Sequence, residues 1–496
     1  MIKKIALLLS IVMLFCSIVA CSDTGDDPSG NGKWEGVGEW DGTRATAPDN
    51  LPDNLNYNGA TISVLFRDGI QEYEATGEAG TDIVYQAVYE RNASVEARLN
   101  IKFDWCPTSG SGLNATKTEI VNLLSTYVDD YDYILTTNNT ILSAGMNSYL
   151  WDFNTAMHID LNQPWWWMSC IEEMSLDGKT YNYLVGEMNL TNFMKMSAFY
   201  FNETLLKNQL GLTAADMYAK VDNKTWTLDE LNRLVSKCYF DKNGDNSANY
   251  GDIFGMPIAG NETINQMVLS TKFDIYKRND DGSINILLNN NRMIDVCDKL
   301  TRLVHENSGV YIQKKIDDKS GYDTFVVEDF TKGSYVFMAQ RFSAVCTETM
   351  RQMTDNYGII PYPTLEEGDE YVSFIQNSST CVSVPYAVDD DRFVRVCAVL
   401  EALSAEAYRT VTEKFYELAL KSKYVRDDTD SPRMIDIIYN SSAKFFLEEY
   451  KANADDIMAI MASAIVGNNS VSTLYAQKGS AAQLKINEFI SKSIAS

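Results

Sequence analysis

The 496-residue sequence predicts an α/β fold in which helices pack against a mainly parallel sheet. Three observations lead to this class. Strand and helix patterns alternate from about residue 61 to 135, the same mixed style recurs between about 168 and 371, and the pattern beyond Asp390 is helical almost to Ser496. A parallel sheet is indicated because parallel strands need long crossover connections, which are usually helices.

The first alternating segment contains three strands and two helices. Residues 61–66 alternate apolar and polar side chains between two turn pairs in which Asn or Asp precedes Gly, which is typical of a strand. Asp82 then precedes a segment whose apolar residues have helical spacing, as an N-cap residue would. The predicted order is strand 61–66, helix 82–99, strand 101–105, helix 114–127 and strand 131–135.

Further elements follow along the chain. Residues 203–210 have a helical pattern, and Thr227 is a plausible N-cap of a helix that starts at Leu228, with Glu230 at the capping-box position. No internal repeat of fixed period is visible. Strands are predicted at 194–201, 333–338, 357–361 and 380–385.

The N-terminus predicts export and lipid anchoring. Two lysines precede an apolar run that is too short to span a membrane stably, which is typical of a secretory signal over residues 1–20. Cys21 follows Ala20 as in a bacterial lipobox, so we expect its thiol to carry lipid and hold the protein on the outer face of the cell membrane. The alternative is an ordinary signal with a chance cysteine.

Residues 21–55 are polar and rich in Gly and Pro, which predicts a flexible tether between the lipid and the folded body. No later apolar run approaches the ~18 residues that a membrane-spanning helix needs. The remaining chain is long enough for two or three domains.

The chain is strongly acidic, with a formal net charge of −26. Removal of the signal takes away Lys3 and Lys4 and no acid, which leaves the mature chain near −28. Such a charge disfavours nucleic-acid binding, which needs a basic surface, and suits an uncharged or cationic ligand.

Seven cysteines lie beyond Cys21, and their odd number leaves at least one thiol free unless it pairs between chains. None shows CxxC spacing, and several lie in apolar strings. We therefore expect buried, unreactive thiols rather than a disulfide framework.

Several segments, in this order, resemble extracellular solute-binding proteins of the type 1 family, which are maltose-binding-like substrate-binding lipoproteins of ABC transporters. The resemblance covers about residues 57–444. The matching segments are DIVYQAVYERN at 82–92, DLNQPWWW at 160–167, FYFN at 199–202, KTWTLDEL at 224–231, YGIIPYP at 357–363 and AVLEAL at 398–403.

The resemblance implies a two-lobed periplasmic-binding-protein-like fold with a ligand cleft between the lobes. By family analogy one lobe holds 56–166 plus 372–421, and the other holds 167–371 plus 422–496. It further implies a monomeric sugar-binding protein that delivers its ligand to a membrane permease, needs no cofactor and is not an enzyme. Because fold does not fix function, these expectations remain analogy.

Candidate ligand residues follow the predicted strands of the first segment, because ligands of such sheets bind beyond the carboxyl ends of strands. The family position of the later crossing segment adds amide and hydroxyl groups at Asn377 and Ser378. Glu187 is a further candidate. For Asn377, Ser378 and Glu187 the alternative is a solvated loop. The strand-end candidates are Arg67, Asp68, Asn138 and Asn139, beside Thr137.

Three consecutive tryptophans, Trp165, Trp166 and Trp167, lie near the expected first crossing between lobes. Sugars present flat C–H faces that stack on indole, so we expect at least one of the three to contact the ligand. The alternative is a cluster in the hinge or core, since three neighbours cannot all point the same way.

Residues 241–252 approximate the calcium loop of EF-hands, with candidate ligands at Asp241, Asn243, Asp245 and Asp252. Asn246 replaces the usual turn glycine, and Asp252 is shorter than the usual glutamate. A structural calcium site and a polar turn satisfied by its own hydrogen bonds are both open.

Two functions other than that of an importer component are compatible with a surface protein of this kind. A surface glycoside hydrolase would need two carboxylates about 5–10 Å apart across a cleft, and nothing in the sequence places two acids together. A sensor or adhesin could use the same fold. The two histidines, at 158 and 305, lack the spacing of a zinc site, and no nucleophile or phosphate-loop motif stands in the right context.

Overall fold

The computed structural model describes residues 42–80, 82–110, 113–312, 322–421 and 430–495. The predicted signal, the lipid attachment residue Cys21 and most of the predicted tether therefore lie outside the described residues. Within the described ranges, no helix is both long enough and apolar enough to cross a membrane.

Thirteen short strands lie within the described residues. In chain order they are β1 (Ala60–Phe66), β2 (Ile101–Pro107), β3 (Tyr133–Thr137), β4 (Ser197–Asn202), β5 (Met256–Ile258), β6 (Tyr276–Arg278), β7 (Ile284–Ile286), β8 (Val310–Ile312), β9 (Phe337–Arg341), β10 (Tyr357–Ile360), β11 (Ser373–Phe374), β12 (Thr380–Ser383) and β13 (Ser442–Ala443).

Helices surround these strands. They are α1 (Ile83–Leu99), α2 (Leu113–Ser125), α3 (Asn138–Ile141), α4 (Met168–Met174), α5 (Leu190–Met194), α6 (Glu203–Leu210), α7 (Ala214–Asp222), α8 (Leu228–Val235), α9 (Asn261–Leu269), α10 (Asn291–Glu306), α11 (Tyr322–Thr331), α12 (Glu348–Arg351), α13 (Asp390–Glu406), α14 (Thr412–Lys421), α15 (Asp430–Asn440), α16 (Phe446–Glu449), α17 (Ala459–Gly467) and α18 (Val471–Ala495), with a π-helix (Ala407–Val411) between α13 and α14.

The first sheet has the predicted parallel core. Its strand order is β12-β3-β1-β2, and β1 pairs in parallel with both β2 and β3. Helix α1 begins as predicted, because the Asp82 carboxylate accepts a hydrogen bond from the Val84 N–H at 2.8 Å. Strand β12 returns from far along the chain and runs antiparallel to β3, which closes this edge of the sheet.

The second sheet is antiparallel, a direction that the sequence did not predict. Strands β10, β4 and β9 pair antiparallel, with β4 in the centre. Every residue of β4 is buried. The sequence of this strand therefore does not indicate which strands pair with it. The predicted strand at 333–338 begins later, at Phe337, and a short parallel pair of β5 and β8 lies beside β9.

Two chain segments pass between the sheets side by side. Met196 forms an antiparallel bridge with Ile375, and β11 pairs in parallel with β13. Residues before Met196 still contact the first sheet, since Leu184 bridges Val382 of β12. The chain therefore reaches the second sheet near Met196, and the lobe boundaries expected from the family analogy stay a prediction.

The end of the predicted tether packs against the folded body. Asp49 is buried and accepts hydrogen bonds from Arg98 of α1 and from Arg409 of the π-helix, the latter at 2.8 Å. Ala47 and Leu51 are buried as well. A flexible tether therefore cannot extend over all of 21–55, because residues 47–51 are held by buried and charged contacts.

Candidate functional site

The strand-end candidates of the first sheet converge as predicted. Arg67 and Asp68 directly follow β1, and Asn138 and Asn139 directly follow β3, its parallel neighbour. The Asn139 N–H donates to the carbonyl oxygen of Asn377 at 2.9 Å, which joins this edge to the crossing segment after β11. Ser378 lies half-buried in the same turn.

A buried carboxylate lies beneath this edge. Glu74 is fully buried and accepts hydrogen bonds from the hydroxyls of Thr380, at 2.9 Å, and Thr191, at 3.2 Å. Burial raises the pKa of Glu74 to about 7, although the two hydroxyls and the positive charge of Arg67 oppose this. Glu74 could not be singled out from the sequence, because the hydroxyls that bond to its carboxylate lie more than a hundred residues away.

Asp68 is oriented by its own loop. Its Oδ1 accepts a hydrogen bond from Gln71 Nε2 at 2.6 Å, and its N–H donates to Thr108 Oγ1 at 3.3 Å, directly after β2. Tyr73, on the same loop, has its pKa raised to about 12 by burial and by neighbouring Glu74. The loop after β1 is thereby fixed against the end of β2.

Polar groups from the second half of the chain meet the crossing segment. Gln376 Nε2 donates a short hydrogen bond to Glu262 in the first turn of α9. Asn377 Nδ2 donates to the carbonyl oxygen of Glu448 at 2.9 Å, and the Glu448 carboxylate pairs with Lys451 at 2.6 Å. Burial raises the pKa of Glu448 to about 7, against the charge of Lys451.

A fully buried ion pair lies under the same turn. Lys444 Nζ donates to Ser379 Oγ at 2.8 Å and lies 3.4 Å from Glu449 Oε1, and both charged side chains are 0% exposed. Burial raises the pKa of Glu449, and the charge of Lys444 opposes the shift. The pair therefore connects the turn before β12 with α16, the helix that follows β13.

Several buried polar atoms around these groups have no hydrogen-bond partner within the part of the chain that the structure describes. Such atoms are rare in native proteins, because an unsatisfied buried group costs about 1–3 kcal/mol. A bound ligand rich in hydroxyl groups would satisfy them. The atoms are Arg67 Nε, Asn138 Oδ1, Asn139 Oδ1, Gln266 Nε2, Gln340 Nε2 and Glu449 Oε2.

The three tryptophans are packed in the core. Trp165 is 0% exposed, and Trp166 donates its Nε1–H to buried Glu401 at 2.8 Å. Trp167 makes edge contacts with Phe193 and Tyr439. This packing is that of a core cluster, and a contact between indole and sugar stays a prediction.

Glu187 is likewise enclosed by protein groups. The Arg44 guanidinium pairs with its carboxylate at 3.1 Å, and the hydroxyls of Thr412 and Tyr439 donate short hydrogen bonds to it. Glu187 is therefore a buried partner of the N-terminal segment, and the structure does not place it beside the strand-end candidates.

The acidic loop 241–252 folds as a tight turn. Asp241 accepts hydrogen bonds from the N–H groups of Gly244 and Asn246, each at 2.7 Å, and Asn246 adopts a positive φ of 61°. Asp252 accepts from the N–H groups of Lys242 and Asn249 at 3.1 Å. An ionised carboxylate offers about four acceptor positions, so both groups keep free capacity.

Asp245 Oδ2 in the same loop accepts from the Nδ2 groups of Asn243 and Asn249 at 3.0 and 2.7 Å. No group of three or more His, Cys, Asp or Glu side chains within the described ranges is arranged to hold a metal ion. The loop geometry is thus that of a turn satisfied by its own hydrogen bonds.

The seven described cysteines are all free, as expected. Five are buried, and Cys106 and Cys346 are half-buried. Burial raises the pKa of the thiols, to about 12 for Cys346. A protonated thiol is a weak nucleophile, so these residues are unsuited to covalent chemistry.

The sequence matches no protein-family model and no curated protein, whereas the fold matches solved structures over nearly their full length. The GacH receptor of Streptomyces glaucescens GLA.O is 13% identical, with a TM-score of 0.53 over 86% of this chain and 99% of that chain. The substrate-binding protein Lmo0181 of Listeria monocytogenes is 11% identical, with a TM-score of 0.52 over 88% and 99%.

A third neighbour is UgpB of Mycobacterium tuberculosis, which is 11% identical with a TM-score of 0.53 over 86% of this chain and 98% of that chain. These neighbours are binding proteins rather than enzymes. At such low identity the likeness shows the fold alone. The chain therefore has the two-lobed α/β fold of the periplasmic binding proteins.

Proposed function

We propose that this protein is the extracytoplasmic solute-binding component of an ABC importer and that it binds a carbohydrate between its two lobes. The observation that carries the proposal is the contact of Asn138 and Asn139 with the crossing segment at Ser379 and Asn377, beside the end of β1 where Arg67 lies. Buried polar atoms there lack protein partners, and sugar hydroxyls both donate and accept the hydrogen bonds that these atoms can form.

The solved neighbours support the choice of ligand. GacH has been solved in complex with acarbose and an acarbose homolog, and Lmo0181 in complex with cycloalternan. UgpB has been solved with glycerophosphocholine, so the fold also accommodates a charged solute. We favour an uncharged sugar because the chain carries a net charge of −26 and the candidate site combines amides with both signs of charge.

We further propose that lipid on Cys21 holds the monomeric protein on the outer face of the cell membrane, where a permease receives the ligand. Binding without turnover is part of the proposal. Calcium binding by the loop 241–252 also remains a proposal, supported by the free acceptor capacity of Asp241 and Asp252.

The test is thermal unfolding of the mature chain, produced with Cys21→Ser to keep it in solution, against a panel of mono- and oligosaccharides. A sugar at 100 times its dissociation constant should add about 2.7 kcal/mol to the unfolding free energy. Recovery of that sugar intact would support a binding protein, and recovery of cleaved products would show an enzyme. If no sugar in the panel stabilises the protein, the carbohydrate proposal is contradicted.

A further inference from the structure

Buried amide side chains around the candidate sugar site are oriented by their contacts with the protein. An amide group donates hydrogen bonds through its nitrogen and accepts them through its oxygen. Where one end of the group meets a protein atom of fixed type, the other end is the one that can be offered to a ligand. The contacts therefore define which kind of ligand group each amide can bind.

Two glutamines beside the second sheet offer nitrogen. Gln266 Oε1 accepts a hydrogen bond from the Tyr362 hydroxyl at 2.6 Å, and Gln340 Oε1 accepts from the Arg341 N–H at 2.9 Å. Gln266 is 0% and Gln340 3% exposed, and the Nε2 atoms of both have no hydrogen-bond partner among the described residues. The Tyr362 hydroxyl also lies 3.4 Å from the main-chain oxygen of Gln340, so the two glutamines form a pair of neighbouring buried donors.

This donor pair adjoins the segments that cross between the sheets. Glu262, which accepts a hydrogen bond from Gln376 of the crossing segment, lies one turn before Gln266 on the same face of α9. Strand β9, which carries the other glutamine, is followed by Phe342, whose N–H donates to the carbonyl oxygen of Met196 at 2.8 Å. The donors therefore lie where the second sheet meets both crossing segments.

Atoms of the opposite type are offered on the side of the first sheet. Asn453 Nδ2 donates to the carbonyl oxygen of Ser143 at 3.5 Å, so Asn453 presents its oxygen. Ser143 Oγ donates to the carbonyl oxygen of Asn139 at 2.7 Å, which places Asn453 beside this strand-end residue. The Oδ1 atoms of Asn138, Asn139 and Asn453 are all buried without a hydrogen-bond partner in the described chain. An amide oxygen accepts and cannot donate.

Two further unpaired atoms are of the other type on each side. Arg67 Nε, after β1, is a donor, and Asn265 Oδ1, on α9, is an acceptor. Sugar hydroxyls suit both, because a hydroxyl donates as well as accepts. A secondary amide is different, since its trans geometry directs the N–H and the C=O to opposite sides. It therefore matches a site with amide oxygens on one side and amide nitrogens on the other.

We propose that the sugar bound here carries an acetamido group, as N-acetylated amino sugars do. The acetamido carbonyl oxygen accepts from Gln266 and Gln340, and the acetamido N–H donates to the amide oxygens on the side of the first sheet. This assignment rests on the proposed function and narrows its ligand to one class of sugar. The group is uncharged, in accord with the ligand favoured above.

The test compares matched sugars by calorimetric titration into the mature Cys21→Ser chain. The pairs are N-acetylglucosamine and glucose, N-acetylgalactosamine and galactose, and N,N′-diacetylchitobiose and cellobiose. In at least one pair we expect the acetamido sugar to bind about tenfold more tightly or better, because a site with buried hydrogen-bonding groups rejects an analogue that leaves them unpaired.

Exchange of an amide for a carboxylate tests the polarity, because the two groups have the same shape and an ionised carboxylate cannot donate. Gln266→Glu should weaken binding of the acetamido sugar about tenfold, and Gln266→Met, which buries no charge, should do the same. Asn139→Asp keeps an acceptor and should recover most of the affinity that Asn139→Ala loses. Gln352→Glu is the control, at an exposed position where the side chain bonds to Glu348, and should leave the affinity unchanged.

The outcomes separate the two proposals. If only sugars without an acetamido group bind, or if they bind as tightly as their acetamido partners, the acetamido assignment is overturned and the proposed function stands. Equal losses in Gln266→Glu and Gln352→Glu would also overturn the assignment. If no sugar of either kind binds, the proposed function and the assignment are both contradicted.

Discussion

Asn139 donates its main-chain N–H to the carbonyl oxygen of Asn377 over 2.9 Å, while its side-chain Oδ1 is buried without a partner in the described chain. The main chain therefore fixes the position of Asn139, and its side chain is left available. This division of roles is what a ligand contact requires, because the group must be held in place before the ligand arrives.

Asn139→Ala should weaken sugar binding about fivefold to tenfold, since a hydrogen bond between protein and sugar contributes about 1–1.5 kcal/mol. Stability without ligand should change little, because the lost oxygen has no protein partner. Calorimetric titration with the stabilising sugar measures the effect. Asn122→Ala, at an exposed position on α2, is the control, and equal losses in both variants would remove Asn139 from the site.

The ion pair between Arg44 and buried Glu187 should stabilise the folded protein. Arg44→Ala leaves the Glu187 carboxylate buried without its cation, and breaking such a pair costs about 3–5 kcal/mol. Urea unfolding should show this loss. Lys485→Ala removes one side of an exposed pair with Asp455, in which both side chains are about half exposed, and should cost less than about 1 kcal/mol. Similar costs for the two variants would show that Arg44 does not stabilise the body.

The first sheet and its strand-end residues could be predicted because their signals are local. Alternation of polarity locates β1 and β2, and Asp82 identifies the start of α1. Parallel direction then follows from the helical crossovers. Once the strands are parallel, their carboxyl ends meet at one edge, which brings Arg67 and Asn139 to the same region without knowledge of any long-range contact.

The rest of the site depends on contacts between distant parts of the chain. Glu448 meets Asn377 across 71 residues, and Glu74 meets Thr380 across 306. The surroundings of the tryptophans could not be predicted for a related reason. Their type suggested stacking on sugar, but the direction of each ring depends on partners such as Glu401 and Tyr439, which the local sequence does not specify.

The capping-box prediction shows the same limit on a smaller scale. Thr227 caps α8 as expected, accepting a hydrogen bond from the Glu230 N–H at 3.2 Å. The Glu230 side chain, however, pairs with Arg233 at 2.7 Å and with Lys220 at 3.0 Å. In the folded protein the Glu230 carboxylate therefore pairs with two cationic side chains instead of completing the capping box that the local sequence predicted.

We expect the free energy of unfolding to depend on pH because of the buried Glu74 carboxylate. Its pKa is raised to about 7 in the folded chain from an ordinary value of 4.5, so the folded state binds the proton more tightly than the unfolded state. Stability should therefore fall as pH rises from about 4.5 through 7, by an amount on the order of 3 kcal/mol for this group.

Glu74→Gln should remove that part of the dependence and make the protein more stable than the unsubstituted chain at pH 8. Urea unfolding at pH 5 and pH 8 measures both. Glu72→Gln, two residues away and exposed, is the control. A Glu74→Gln protein that loses stability equally at both pH values would show that Glu74 does not titrate in this interval.

Cys21→Ser should release the mature protein from membranes. Acyl chains contribute about 0.8 kcal/mol for each methylene that they bury, and the substitution removes their attachment point. Detergent phase partition of the expressed protein measures the change. Cys106→Ser, which alters a half-buried thiol of the folded body, should remain with the detergent phase. If both variants partition alike, Cys21 is not the anchor.

Calcium should stabilise the protein through the loop 241–252. Three aspartates on a twelve-residue loop repel one another, and oxygen ligands at alternate positions suit a hard cation. Calcium at 100 times its dissociation constant should add about 2.7 kcal/mol to the unfolding free energy relative to a chelator, measured by thermal unfolding.

Binding requires the Asn243 and Asn249 amides to release Asp245, to which they donate at 3.0 and 2.7 Å. Asp245→Asn should therefore abolish the calcium effect, whereas Asp281→Asn, which alters an exposed turn bonded to Ser283, should retain it. Equal unfolding temperatures with calcium and with chelator would leave the loop as a turn that its own hydrogen bonds satisfy.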